Sequence, residues 1–230
     1  MTDNGAAHRG RVYVRRRGRM TAGQARALAQ VADPYRLEHA ALCEFAQAQL
    51  GQAPIGLEIG FGMGQAMVEW CQQAPDWQIL GIEVYQPGIG SAMLHAEELS
   101  IGNLRIFDGD AAALLEQTPA LPWLQEVRIF FPDPWPKKRH HKRRLIQTEF
   151  IALVSERLCA GGVLRVATDW EAYAEHINHV LSEAALLRNL GSSDGYAPRF
   201  AKRGTTRFEA RGARLGHSTW DFFYERVQTS

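Results

Sequence analysis

Leu57-Glu58-Ile59-Gly60-Phe61-Gly62-Met63-Gly64 is a short apolar strand running out into three alternating glycines. Glycine tolerates positive φ and lets a ligand approach the backbone, and a helix predicted from Gln65 to about Gln73 would offer that ligand its N-terminal amides. A second apolar strand, 78–83, ends in Gly81-Ile82-Glu83-Val84. Glu83 follows Gly60 by 83 − 60 = 23 residues, about where the ribose-binding acid of a dinucleotide fold stands. A glycine loop by itself is a weak signal. The strand–loop–helix setting with the spaced acid is a good one.

The same alternation extends on both sides of this unit. Helix is expected over 35–50, opened by Pro34, with Leu37, Ala41, Leu42, Phe45 and Ala48 at helical spacing. Downstream, strands at 104–107, 127–131 and 163–167 alternate with helices at 88–99, 111–116, 145–158 and 170–182. Gly102-Asn103 and Gly161-Gly162 fall where helix C-caps are expected. Short apolar strands alternating with helices imply an α/β fold, a parallel sheet with helices on both faces. Segments 186–190 and 220–227 would add an edge hairpin. Residues 1–33, rich in Arg and Gly without periodicity, read as a flexible basic arm, and 34–230 as a single domain.

Composition narrows the class. The 230 residues are 46% apolar and 22% charged, an ordinary globular balance with one sizeable core. No apolar run approaches the roughly eighteen residues of a membrane span, and the N-terminus lacks the apolar region of a secretory signal. Cys43, Cys71 and Cys159 are too widely spaced for a zinc motif or a disulfide framework, so no metal is expected and a reducing cytoplasm fits. The net charge of +1 conceals segregation. Residues 9–26, 137–144 and 199–214 carry 7 + 6 + 6 = 19 of the 26 Lys and Arg but one acid, Glu209, leaving 7 bases against 24 acids elsewhere. Any one of these runs is most simply a solvated face. Three on an otherwise acidic body suggest a footprint for phosphates.

Four acids fall at strand ends, where open α/β sheets bind ligands: Glu58, Glu83, Asp110 and Asp133. Asp108 precedes Asp110 by two and competes for the third place. Each acid alone could be satisfied by backbone donors; all four together favour a cofactor. The glycine spacing departs from G-x-G-x-x-G, with Gln65 where the last glycine would stand, and a carboxylate at Glu58 would repel a pyrophosphate. It would attract a cation. S-adenosyl-L-methionine, with a sulfonium, an ammonium and a ribose diol but no phosphate, fits Glu58, Gly60, Gly62, Gly64, Glu83, Asp110 and Asp133.

The run Phe130-Phe131-Pro132-Asp133-Pro134-Trp135-Pro136-Lys137-Lys138-Arg139-His140-His141-Lys142-Arg143-Arg144 ends a strand in one carboxylate between prolines, then adds a dense cation strip. Proline fixes φ and cannot donate to a ladder, so Asp133 sits on a stiff bend beside a surface suited to a polyanion. Trp135 is read equally as a base-stacking residue or as core. His140 and His141 lack partners for a metal site.

These motifs carry a resemblance. Leu57–Gly64, Gly81–Val84, Phe130–Trp135, Ala167-Thr168-Asp169-Trp170, Thr206-Arg207-Phe208-Glu209 and Arg15-Arg16-Arg17-Gly18-Arg19-Met20-Thr21 resemble the bacterial tRNA (guanine-N7-)-methyltransferases, over about residues 12 to 227. The resemblance implies a Rossmann-like class I methyltransferase, a mostly parallel seven-stranded sheet with an antiparallel last strand. It implies methyl transfer from S-adenosylmethionine to N7 of a guanosine in the tRNA variable loop. Carried over, Glu58, Glu83, Asp110 and Asp133 would bind cofactor, with Asp133 also catalytic. Lys137, Asp169, Thr206, Arg207, Phe208 and Glu209 would meet the nucleoside. Arg139, His140, His141, Lys142, Arg143 and Arg144 would meet RNA. Asp169 would also serve as the N-cap of the helix after it. Pro136 departs from the family, replacing a polar or basic residue. The partner implied is tRNA, with no membrane, metal or protein partner. Competing readings are another RNA or protein methyltransferase, a nucleic-acid-binding module with a vestigial pocket, and a dehydrogenase.

Overall fold

The computed structural model describes residues 18–31, 34–49, 51–118, 121–203 and 218–228. Strands β1 (Ile55–Ile59), β2 (Gln78–Glu83), β3 (Leu104–Asp108), β4 (Leu124–Phe130), β5 (Leu158–Thr168), β6 (Leu187–Asn189) and β7 (Trp220–Arg226) form one sheet in the order β3-β2-β1-β4-β5-β7-β6. The first five pair in parallel; β7 is antiparallel to both β5 and β6. This is the mostly parallel seven-stranded sheet expected. Strand order reverses between β1 and β4, so the glycine loop and the Asp133 loop leave the sheet side by side at the switch point.

Two apolar layers sandwich the sheet. Period-two alternation sends Leu57, Ile59, Val127, Ile129, Leu164 and Val166 to one face. There they meet α5 (Ala111–Gln117), α6 (Thr148–Arg157) and α7 (Glu171–Ser182) through Leu114, Ile151, Val154 and Ile177. On the opposite face, α3 (Gln65–Gln73) and α4 (Gln86–Glu98) bury Met67, Trp70, Ile89 and Met93 against Ile79. A Cβ at Gly56 would lie 2.4 Å from the Trp70 ring, so only a bare strand lets α3 pack this close.

Several boundaries differ from expectation. The Pro34 segment does not open a helix: Arg36 bridges in parallel to Ile106 on the sheet edge, and α2 (His39–Gln49) starts later. Residues 1–17, 32 and 33 of the expected arm lie outside the described residues, but 18–31 are not loose. Thr21 and Gln24 form a reciprocal capping box on α1 (Ala22–Arg26), which continues as a π-helical turn, Ala27–Val31. It packs on α4 so closely that a Cβ at Gly90 would lie 2.6 Å from the Gln24 carbonyl oxygen. Thr-x-x-Gln is a readable start signal; the arginines around it obscured it. Gly161-Gly162 does not cap a helix but lies inside β5, with Gly161 at φ 76°. Asn103 does not end α4 either. Its amide donates to the carbonyls of Cys71, Ala74 and Trp77, closing α3 across the sheet edge.

Candidate active site

β1 delivers Glu58 and then the glycine loop. Gly60, Gly62 and Gly64 adopt φ of 75°, 58° and 78°, which L side chains rarely reach. A Cβ at Gly60 or Gly62 would meet nothing within 4 Å, so these two backbones face open space. Gly64 differs: a Cβ there would come within 2.4 Å of the Ala92 Cβ, so its lack of a side chain serves the packing of α3 on α4. Glu83 clamps the loop. One carboxylate oxygen accepts from Gly62 N–H at 2.8 Å, the other from Val84 and Tyr85 N–H at 2.7 and 3.0 Å. Burial raises the Glu83 pKa, against which these three N–H groups act.

Glu58 has no such relief. It is 3% exposed, and its Oε2 has no hydrogen-bond partner. Burial pushes its pKa up to about 7, with Arg128 opposing and Glu126 and Glu83 adding. The cross-strand register explains the setting: Glu58 stands beside Arg128, and Arg128 beside Arg165. Glu126, one rung back, accepts from Arg128 Nε at 2.8 Å and Arg165 Nε at 3.1 Å. The Arg128 guanidinium lies 3.4 Å from the Trp70 ring centroid, and that of Arg165 3.9 Å from both Phe200 and Phe223. This buried ionic row was missed in the sequence. Its signal was the polar alternation Glu126-x-Arg128 within β4.

Asp110 is partly exposed and caps α5, accepting from Ala113 N–H at 3.0 Å. Asp108, its competitor, accepts from Gln86 Nε2 at 2.6 Å. Asp133 is exposed beyond β4, on a bend between Phe131 (φ 53°) and Trp135 (φ 42°), two bulky residues in left-handed conformation. Phe131 N–H still bonds to Ala167 O at 2.8 Å, so the chain leaves the sheet beside Asp169. Asp169 is partly exposed and does not serve as the N-cap expected of it; Trp170 takes that position without a side-chain cap. Trp135 stands outside both apolar layers, in edge contact with the His140 ring at 5.6 Å, with the Arg143 guanidinium 5.1 Å from its centroid.

The cation strip winds as a 3-10 turn, Lys138–Arg143. Lys137, Lys138, Arg139 and Lys142 are exposed; His140, His141 and Arg143 are partly so. Partial burial, then Arg143, Arg139 and Lys137, lower the His140 pKa. Arg144 breaks the pattern. It is 2% exposed and cannot present a charge to a phosphate, contrary to expectation. Arg203, from the third basic run, is likewise buried and paired with Asp221. Thr206, Arg207, Phe208 and Glu209 lie outside the described residues.

A profile described as a putative methyltransferase matches residues 52–222. A tRNA (guanine-N(7)-)-methyltransferase of Pseudoalteromonas atlantica is 44% identical over 216 residues, 94% of this chain and 90% of its own length. That of Sodalis glossinidius is 45% identical over 223 residues, 96% and 93% of the two chains. The chain belongs to the tRNA (guanine-N(7)-)-methyltransferase family. Fold similarity extends beyond this family. The solved structure of a putative methyltransferase from Streptococcus mutans, in complex with SAH, superposes with a TM-score of 0.52 at 12% identity, covering 80% of this chain and 97% of that one. The glycine loop after β1, held by Glu83 from the end of β2, lies beside the switch point between β1 and β4. Among the described residues no cluster of three or more His, Cys, Asp or Glu could hold a metal, and no helix is long and apolar enough to cross a membrane.

Proposed function

We propose that this chain transfers a methyl group from S-adenosylmethionine to N7 of a guanosine in the variable loop of tRNA. The observation that carries the reading is one juxtaposition. Glu58, buried with one orphaned carboxylate oxygen, precedes the glycine loop on β1, and Asp133, on a strained bend beside an exposed cation strip, follows the neighbouring strand β4. The family membership supports the same reading.

The crevice fits the cofactor. Glu58 Oε2 lacks a donor, which an ammonium or hydroxyl would supply, and the open space above Gly60 and Gly62 admits a ligand against bare backbone. Glu83, whose oxygens already hold the loop, is assigned to the ribose diol; Asp110 follows β3 at the same end of the sheet. When bound, S-adenosylmethionine supplies an electrophilic methyl on a sulfonium.

The protein's share of the chemistry is alignment and charge. Guanine N7 carries a lone pair and no hydrogen, so no side chain need remove a proton. Asp133 is assigned to hold the guanine in line at near-attack distance and to stabilise the positive charge the base acquires. Asp169, beyond the neighbouring strand, and Lys137 are assigned to the nucleoside, with Thr206 to Glu209. Lys138, Arg139, Lys142 and Arg143 are assigned to phosphates. Duplex RNA buries N7 in a deep, narrow groove, which favours a guanosine in a loop. The test is incubation with methyl-labelled S-adenosylmethionine and tRNA lacking 7-methylguanosine, then nucleoside analysis. Label in 7-methylguanosine is expected; label in another nucleoside refutes the reading.

A further inference from the structure

Arg144 is the one buried cation among the six Lys and Arg of residues 137–144. Its Nε donates to Pro134 O at 2.9 Å and its Nη1 to Ala172 O at 3.4 Å, while its Nη2 faces His141 Nε2 at 3.2 Å. The guanidinium lies 4.8 Å from the centroid of the fully buried Tyr173 ring. Pro134 follows Asp133 directly, Ala172 is in the first turn of α7 three residues beyond Asp169, and His141 belongs to the 3-10 turn. One side chain thus ties together the two carboxylates' supports and the cation strip.

The loop needs such a tie. Pro132, Pro134 and Pro136 leave only Asp133 and Trp135 with an N–H between 132 and 136, so its carbonyls must be held by donors from elsewhere. It also carries Phe131 and Trp135 at positive φ, a conformation that persists only where surrounding contacts impose it. A guanidinium can hold three acceptors in a fixed plane; an ammonium cannot reproduce that fork.

We propose that Arg144 is a positioning residue for methyl transfer and not an RNA ligand: it fixes the Asp133 loop against the first turn of α7, just beyond Asp169. This rests on the methyltransferase reading above. The experiment compares wild type, Arg144→Lys and Arg143→Ala with unmodified tRNA at saturating cofactor. Rates are expressed per cofactor-binding site counted by calorimetry, so that only folded molecules contribute, and tRNA Kd is followed against salt. Wild type is scored first; absence of 7-methylguanosine there refutes the methyltransferase reading, before any variant is compared. For Arg144→Lys, the rate per site is expected to fall roughly 10- to 100-fold, as for an ångström-scale misplacement, with tRNA KM and salt slope unchanged. Arg143→Ala is expected to raise the tRNA KM and lower the salt slope. His141→Ala, which removes one partner of the guanidinium, serves if Arg144→Lys yields no cofactor-binding protein; a several-fold slower rate per site is expected. A wild-type rate per site in the variant used, whatever its thermal stability, overturns the proposal. So does a loss of tRNA affinity and salt slope in Arg144→Lys matching that of Arg143→Ala.

Discussion

Replacing Glu58 by Gln separates the cofactor role proposed for this carboxylate from its cost. In the folded chain the Glu58 pKa is about 7, against an ordinary value of 4.5. Because burial disfavours the charged form, the free protein's stability falls as pH rises from about 4.5 to about 7, and the loss is complete above that. At ~1.36 kcal/mol per pH unit the loss amounts to on the order of 3 kcal/mol at pH 8. A glutamine removes the charge but leaves a buried amide, which costs about 1–2 kcal/mol if unpaired. A net gain of about 1–2 kcal/mol remains, or roughly 2–8 °C in Tm for a chain of this size. Cofactor binding should move the other way. Removing a charge-assisted hydrogen bond of about 2 kcal/mol corresponds to roughly 30-fold weaker binding at neutral pH. The pH profile adds a sharper signature. Wild-type affinity should rise about tenfold per pH unit from about pH 5.5 to about pH 7, because Glu58 must release a proton to bind a cation. In Glu58→Gln that rise should vanish. Scanning calorimetry of the free protein at pH 8 and titration calorimetry with S-adenosylmethionine across pH measure both. A lower Tm in the variant, or an affinity that still rises with pH as in wild type, would refute the reasoning.

Asp133→Ala should abolish methylation while tRNA binding, measured by filter retention, persists; a wild-type rate would remove Asp133 from the reaction. Arg139→Ala with Lys142→Ala, two exposed cations, should lower the slope of log K against log salt by roughly 0.7–0.9 for each phosphate no longer neutralised. An unchanged slope would mark them as merely solvated. Asp221→Ala should destabilise the fold by roughly 2 kcal/mol or more, since it removes a buried charge-assisted hydrogen bond to Arg203, and denaturant titration would measure it.

What the sequence disclosed and what it hid divide along one physical line. Periodicity and turn chemistry are local, so β1, β2 and α3, together with the glycine loop and Glu83, are legible from 55–83 alone. The parallel sheet follows from alternation, because parallel strands require crossovers. Burial of charge is a tertiary property, and there the reading failed. Arg143 and Arg144 are adjacent and chemically identical, yet one borders Trp135 near the surface and the other is sealed beneath Pro134 and Tyr173. Nothing local distinguishes them. Arg203 escaped for the same reason, as did Arg165, whose guanidinium between Phe200 and Phe223 depends on a chain segment 35 residues later in sequence (200 − 165 = 35). Gly64 was legible as a loop glycine but not as a packing contact with Ala92 on a different helix.

The buried cations also explain how the site's unfavourable features persist. Phe131 and Trp135 in left-handed conformation cost about 1–3 kcal/mol each, and the desolvated Glu58 a similar amount above neutral pH. Each of these lies beside a buried guanidinium. Arg144 holds the bend at Pro134, Arg203 lies 5.3 Å from the Phe131 ring, and Arg128 neighbours Glu58 across the strands. A guanidinium suits this work because it stays charged when buried, bonds several acceptors in a plane and stacks on aromatic faces. A chain that must gather cations for a polyanion is therefore also supplied with internal props, and the two uses cannot be separated by counting arginines. It follows that charge-reducing substitutions in residues 137–144 divide into two classes by burial. Those at exposed positions should change salt dependence, whereas one at Arg144 should change the rate.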